Sequence, residues 1–201
     1  MKPPSSLCSL PPEGAARRLT GRAGSVALAG LLGFITIGLA QAHVSLEQPQ
    51  AAAGSGYKAV LRIGHGCEGS ATHTVSVRLP AGFRGAKPMP KPGWTIAITR
   101  APLAEPYESH GRKITDDVVE ISWKANSRDS WLPDAHFDEF VLRGQAPEKA
   151  GPAWFKVQQL CEKGEWNWTD VPPSGTATKG LKAPAVLLEV LPPKAAGGHV
   201  H

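Results

Sequence analysis

The 201-residue chain carries 22 Lys and Arg against 17 Asp and Glu, a formal charge of +5. The excess sits at the front: residues 1–42 hold Lys2, Arg17, Arg18 and Arg22 against one acid, Glu13, and without them the balance falls to +2. A near-neutral remainder with no lysine-rich block removes the main support for a nucleic-acid partner, while residues 43–201 are long enough for one domain with a sizeable core.

Residues 1–42 read as a signal peptide. The arginines precede an apolar run from Ser25 to Ala40, and Ala40-Gln41-Ala42 is an A-x-A cleavage site. The run contains Gly30 and Gly33 and falls short of the roughly 20 apolar residues a bilayer span needs. Arg17-Arg18 fits a twin-arginine pattern poorly, and Cys8 is expected to leave with the leader. A cut after Ala42 makes His43 the first residue of an exported, periplasmic protein. No second apolar span follows, so the mature form is expected to have no membrane span.

Beyond the leader the chain alternates in twos. Tyr57–Ile63, Thr74–Leu79, Trp94–Ile98, Val118–Trp123, Phe137–Leu142, Ala153–Leu160 and Ala185–Leu191 each place apolar residues on one face. Short runs of this kind, separated by Gly, Pro, Asn and Asp turns, predict an all-β immunoglobulin- or fibronectin-like β-sandwich of about seven to nine strands. No stretch has a convincing helical period. The prolines at 88, 90 and 92 make Gly85–Gly93 an extended or turn connection. Residues 101–116 and 170–183 read as longer loops. The sandwich is expected to occupy 43–192, and 193–201 to form a flexible tail bearing His199 and His201.

Two cysteines remain after the leader, Cys67 and Cys161, and an even pair in an exported chain reads as a disulfide. The chemistry concentrates at two places. A histidine at a free N-terminus offers its α-amine and Nδ1 to one ion as a six-membered chelate, and neutral imidazole is the commonest protein metal ligand. The Gly-flanked turn His65-Gly66-Cys67-Glu68 adds a second imidazole and a carboxylate. Glu68 is either an oxygen ligand, which with nitrogen donors suits copper(II), or a solvated loop carboxylate. His65 either joins the metal or fixes the turn through the backbone. Of the six tryptophans, most serve packing, and one could lie over a metal. His199 and His201 are a generic weak metal-binding tail. No nucleophile elbow, phosphate loop or dinucleotide fingerprint is present.

The ordered set His43-Val44, His65-Gly-Cys67-Glu-Gly-Ser70, Lys91-Pro-Gly-Trp94, Ile121-Ser-Trp123, Leu132-Pro-Asp134, Phe137-Asp-Glu-Phe140, Phe155-Lys-Val-Gln-Gln-Leu-Cys161 and Gly164-Glu-Trp-Asn-Trp168 resembles the YcnI-like domain family of exported bacterial copper-binding proteins. The resemblance spans nearly all of residues 43–170; Gly64 stands where many relatives carry Pro. It implies a β-sandwich that holds copper(II) through a mono-histidine brace. Carried over, the brace falls on His43, the carboxylate on Glu68 and the nearby tryptophan on Trp168, ahead of Trp154, Trp131 and Trp123. Cys67 and Cys161 match the family's cysteine-bearing branch.

The expected function is therefore non-enzymatic: a periplasmic Cu(II)-binding protein that stores, buffers or delivers copper, its partners being the ion and other periplasmic copper-handling proteins. One rival is a copper-dependent polysaccharide monooxygenase, which would need a second histidine from among His65, His73, His110 and His136. Another is a metal-free interaction module.

Overall fold

The computed structural model describes residues 43–193. The signal peptide, its cleavage bond and the His199/His201 pair lie outside the described residues. Eleven strands and one 3-10 turn follow in order: β1 (Ser45–Leu46), β2 (Gln50–Ala52), β3 (Gly56–Ile63), β4 (Thr72–Arg78), β5 (Arg84–Pro88), β6 (Trp94–Ser109), β7 (Arg112–Ala125), the 3-10 turn (Arg128–Ser130), β8 (Asp138–Gln145), β9 (Gly151–Cys161), β10 (Glu165–Trp168) and β11 (Val186–Leu191). The all-β expectation holds. The strands beyond the expected seven to nine are short ones, such as β1 and β2, in which two or three residues cannot display an alternation.

One sheet has the order β1-β3-β8-β5. The second runs β2-β11-β9-β4-β7-β6, with β10 also paired to β9. Alternation fills the space between them. Ala59, Leu61 and Ile63 of β3 and Phe140 and Leu142 of β8 are fully buried, as are Val75, Val77, Ile121, Trp123, Phe155, Val157 and Leu188 from the other sheet. Phe140 is the aromatic hinge of this core, meeting Trp94 at 5.1 Å and Trp123 at 5.7 Å, both edge to face.

Residues 101–116 correct a sequence expectation. They are not a loop but the outer half of a long β6–β7 hairpin, turning at His110-Gly111. The ribbon is mostly exposed there, so no core face writes an apolar alternation into it. Its base is tied to the opposite sheet by Asp117, whose carboxylate accepts from Gly85 N at 2.8 Å, Tyr107 Oη at 2.7 Å and Val118 N at 2.7 Å. Burial alone would raise the Asp117 carboxyl, but these three donors and the nearby Arg100 charge outweigh it and hold the pKa below the usual range. Burial and the same hydrogen bond push the Tyr107 phenol up to about 12.

Cys67 and Cys161 are joined as a disulfide, with Cα atoms 5.8 Å apart. It links the turn after β3 to the end of β9, fastening one sheet to the other at the end of the sandwich where the candidate residues collect. Among the described residues, no helix is long and apolar enough to cross a membrane.

Candidate metal centre

The end of the sandwich near Cys67 is assembled by strand register. In the β1–β3 pair Ser45 faces Arg62 and Leu46 faces Leu61. Continuing that antiparallel register back by two residues brings His43 level with Gly64, one residue from His65. From the other sheet, the tight β9–β10 hairpin sets Trp168 opposite Val157 and Trp166 opposite Gln159. Trp168 is buried, and Trp166 stacks on it at 4.9 Å with planes 23° apart.

Both imidazoles abut this indole. The His43 ring meets Trp168 edge to face at 5.3 Å, and the His65 ring does so at 6.5 Å. The structure therefore brings together three of the residues singled out from sequence. The other tryptophans are elsewhere: Trp123 lies in the core with its indole N–H on Met89 O, Trp131 packs against His73, and Trp154 faces Leu187 on β11.

His65 is held from every side. Its Nδ1 lies 2.5 Å from the Gly66 carbonyl, which can only accept, so Nδ1 carries the proton in that bond. Its own carbonyl accepts from Gln159 Nε2 at 2.7 Å. Next along, Gly66 N donates to Asp134 Oδ1 at 2.9 Å, and Cys67 is fixed by the disulfide. A side chain at 66 is excluded, because its Cβ would lie 1.8 Å from Ser70 O.

Glu68 lies three residues beyond His65 on the same turn. It is exposed, and its carboxylate makes no hydrogen bond or ion pair among the described residues. The turn that carries it is closed by Cys67 N to Ser70 O at 3.2 Å and Ser70 N to Cys67 O at 2.9 Å. Glu68 adopts φ +49°, a left-handed conformation that costs a side-chain-bearing residue about 1–2 kcal/mol. Of the remaining histidines, His73 bonds Thr74 Oγ1, His110 sits at the hairpin tip and His136 is exposed after Pro133.

Gln159 is the residue that reading the sequence for chemistry overlooks. It is a polar side chain on the core face of β9, 1% exposed, between Val157 and Cys161. Its Nε2 donates to His65 O and to Thr72 Oγ1, both at 2.7 Å, and its Oε1 accepts from Trp168 Nε1 at 3.3 Å. One carboxamide thus positions both the second imidazole and the indole. The available signal is the alternation itself, which sets this glutamine in line with Phe155 and Val157. Trp166 Nε1, by contrast, is buried with no partner.

In comparison with known sequences, residues 43–190 match the domain of unknown function DUF1775. The chain belongs to the DUF1775 family. The match begins at His43. No curated protein is a significant match. Among solved structures, this DUF1775 domain is similar to a protein from Nocardia farcinica whose crystal structure reveals an immunoglobulin-like fold. The two share 23% identity over 74% of this chain and 97% of that one, with a TM-score of 0.57. It is also similar to the seventh ScaB type I cohesin from Pseudobacteroides cellulosolvens, at 12% identity over 79% of this chain and 97% of that one, with a TM-score of 0.39. The first likeness agrees with the immunoglobulin-like sandwich described above.

Proposed function

We propose that this DUF1775 domain is a periplasmic, YcnI-like copper(II)-binding protein that stores, buffers or hands on the ion after cleavage behind Ala42. The observation that carries this reading is the His43 imidazole set edge-on to buried Trp168, with His65 on the same indole. A cut after Ala42 adds the α-amine to His43, completing the two-nitrogen chelate of a histidine brace. The start of the family match at His43 supports that cut.

The donor set suits the ion. Amine and imidazole nitrogens with a carboxylate oxygen form a tetragonal set of the kind copper(II) takes. His65 sits on the same indole as His43, with its Nδ1 held by the Gly66 carbonyl, as the ring of a metal-ligating histidine is held by a backbone partner. Glu68, three residues beyond His65 on the same turn and with no hydrogen bond or ion pair among the described residues, is the oxygen donor in this reading. Among the described residues no group of three or more His, Cys, Asp and Glu side chains is arranged to hold a metal. In a brace the backbone amine takes the place of one side chain.

Protein processed in vivo, with its mass measured intact, is expected to start at His43 and to bind one copper(II) tightly in isothermal titration. Protein carrying one extra residue ahead of His43 should lose most of that affinity, and an unchanged affinity would overturn the brace. The same observation also favours a second reading, since His65 is the imidazole a copper monooxygenase would recruit. Ascorbate-driven oxidation of chitin or cellulose by the processed protein would decide for that enzyme.

A further inference from the structure

Apart from the cluster of His43, His65 and Trp168, none of which lines it, a groove of about 590 Å³ runs over β3, β8 and the segment that leaves β5. Successive rows across the outer face of this sheet are built differently. In one row Arg62 lies between Glu47 at 2.8 Å and Glu139 at 3.1 Å, an acid–base–acid set. In the next, Val60 faces Val141, both buried. In the third, Lys58 faces Arg143, and Arg143 faces Lys87 on its other side. Three cations therefore stand side by side on three adjacent strands. All are exposed, and none has an ion pair among the described residues.

Like charges directly opposite each other on a sheet are destabilising. The neighbouring row shows that this face can neutralise an arginine on both flanks. An uncompensated row beside an apolar floor is the electrostatic half of a binding site. The floor is Val141 together with Met89, which is half exposed, and the rings of Pro88 and Pro90. The cavity volume is in the range of small-molecule sites. A peptide adding as a strand is disfavoured here: β5 is the sheet's edge, and Pro88 and Pro90 remove backbone donors where an added strand would pair.

We infer that this groove binds a single-chain amphiphile with an anionic headgroup, a carboxylate or phosphate held by Lys58, Arg143 and Lys87 and an alkyl tail lying on Val141 and Met89. The site is independent of the copper reading. It uses no residue of the histidine cluster.

The test is titration of the full mature protein with laurate and dodecyl phosphate as monomers below their micelle concentrations. Dodecyl maltoside serves as the neutral tail, inorganic phosphate as the headgroup alone, and vesicles containing anionic lipid as the membrane surface. Both anionic amphiphiles are expected to bind at least tenfold more tightly than the maltoside or phosphate. The variant K58S/K87S/R143S should lose that preference by tenfold or more while its thermal midpoint holds or rises, because the like-charge row is gone. Single variants Arg143→Ser and Lys87→Ser should each show part of the loss if the triple variant fails to fold. Equal binding of the maltoside, equal binding of phosphate, association with vesicles only, or undiminished affinity in the variants would each overturn the inference.

Discussion

The carboxamide of Gln159 donates a 2.7 Å hydrogen bond to the carbonyl of His65, so a core residue of one sheet fixes the backbone of a candidate ligand carried by the other. The same side chain holds Trp168 through its indole N–H. Replacing it with leucine keeps the volume but strands buried polar groups, each costing about 1–3 kcal/mol when truly unsatisfied. Gln159→Leu is expected to lower the urea midpoint correspondingly and to alter tryptophan fluorescence. An unchanged midpoint would show that Gln159 is not a structural hub.

The roles of His65 and Glu68 separate by spectroscopy. In processed protein, copper(II) should show nitrogen hyperfine coupling in electron paramagnetic resonance, reduced in His65→Ala and retained in Glu68→Gln. Glu68→Gln should weaken binding while leaving the nitrogen pattern intact. Retention of the full nitrogen pattern in His65→Ala would leave the brace on His43 alone. Affinity in all forms should fall as pH falls, because protons compete for the same nitrogens.

Removing the disulfide should be costly. A bridge across 94 residues restricts the unfolded chain strongly, and loss of a native bridge from a small domain typically costs about 2–5 kcal/mol. The C67S/C161S variant is expected to unfold at lower urea, with the same shift produced in the parent by reductant. Ser70 Oγ still donates to the Cys67 carbonyl at 2.7 Å and accepts from Lys163 N at 3.1 Å, so the turn should persist locally.

Stability should have an acid limb traceable to Asp117. Its folded pKa lies below the usual carboxylate range, so as pH falls through that range the unfolded state binds more protons than the folded one. The stabilisation is present above the unfolded pKa and is lost as pH falls through the folded one. Asp117→Asn should flatten this limb in urea titrations between pH 5 and pH 2, values bracketing the usual carboxylate range. A limb of unchanged slope would assign it to other carboxylates. At the alkaline end, Tyr57 and Tyr107, both pushed up to about 12 from the ordinary phenol value of 10.0, should cost stability as pH rises above 10.

The sandwich was legible because its core strands are half-buried and write burial into every second residue; Ala153, Phe155, Val157 and Gln159 are buried while Lys156 is exposed. The outer β6–β7 ribbon was not, because exposed strands carry no such imprint. The disulfide followed from compartment and parity. At the site, Trp168 could be singled out by resemblance alone, since nothing local distinguishes it from five other indoles. The roles of Gln159 and Asp134 are not legible for a different reason. They act through the backbone of His65 and Gly66, and the sequence does not encode which distant carbonyl or N–H a side chain will reach.

The pairing of Ser45 and Leu46 with β3 leaves only Val44 between the sheet and His43. Under the proposed reading the sheet is a ruler against which the leader must be cut. A peptidase acting one bond early would cap the chelating residue, and one bond late would discard it. Metal capture would then be locked to export: the precursor is blind to copper, and the finished chain emerges with its grip already in place.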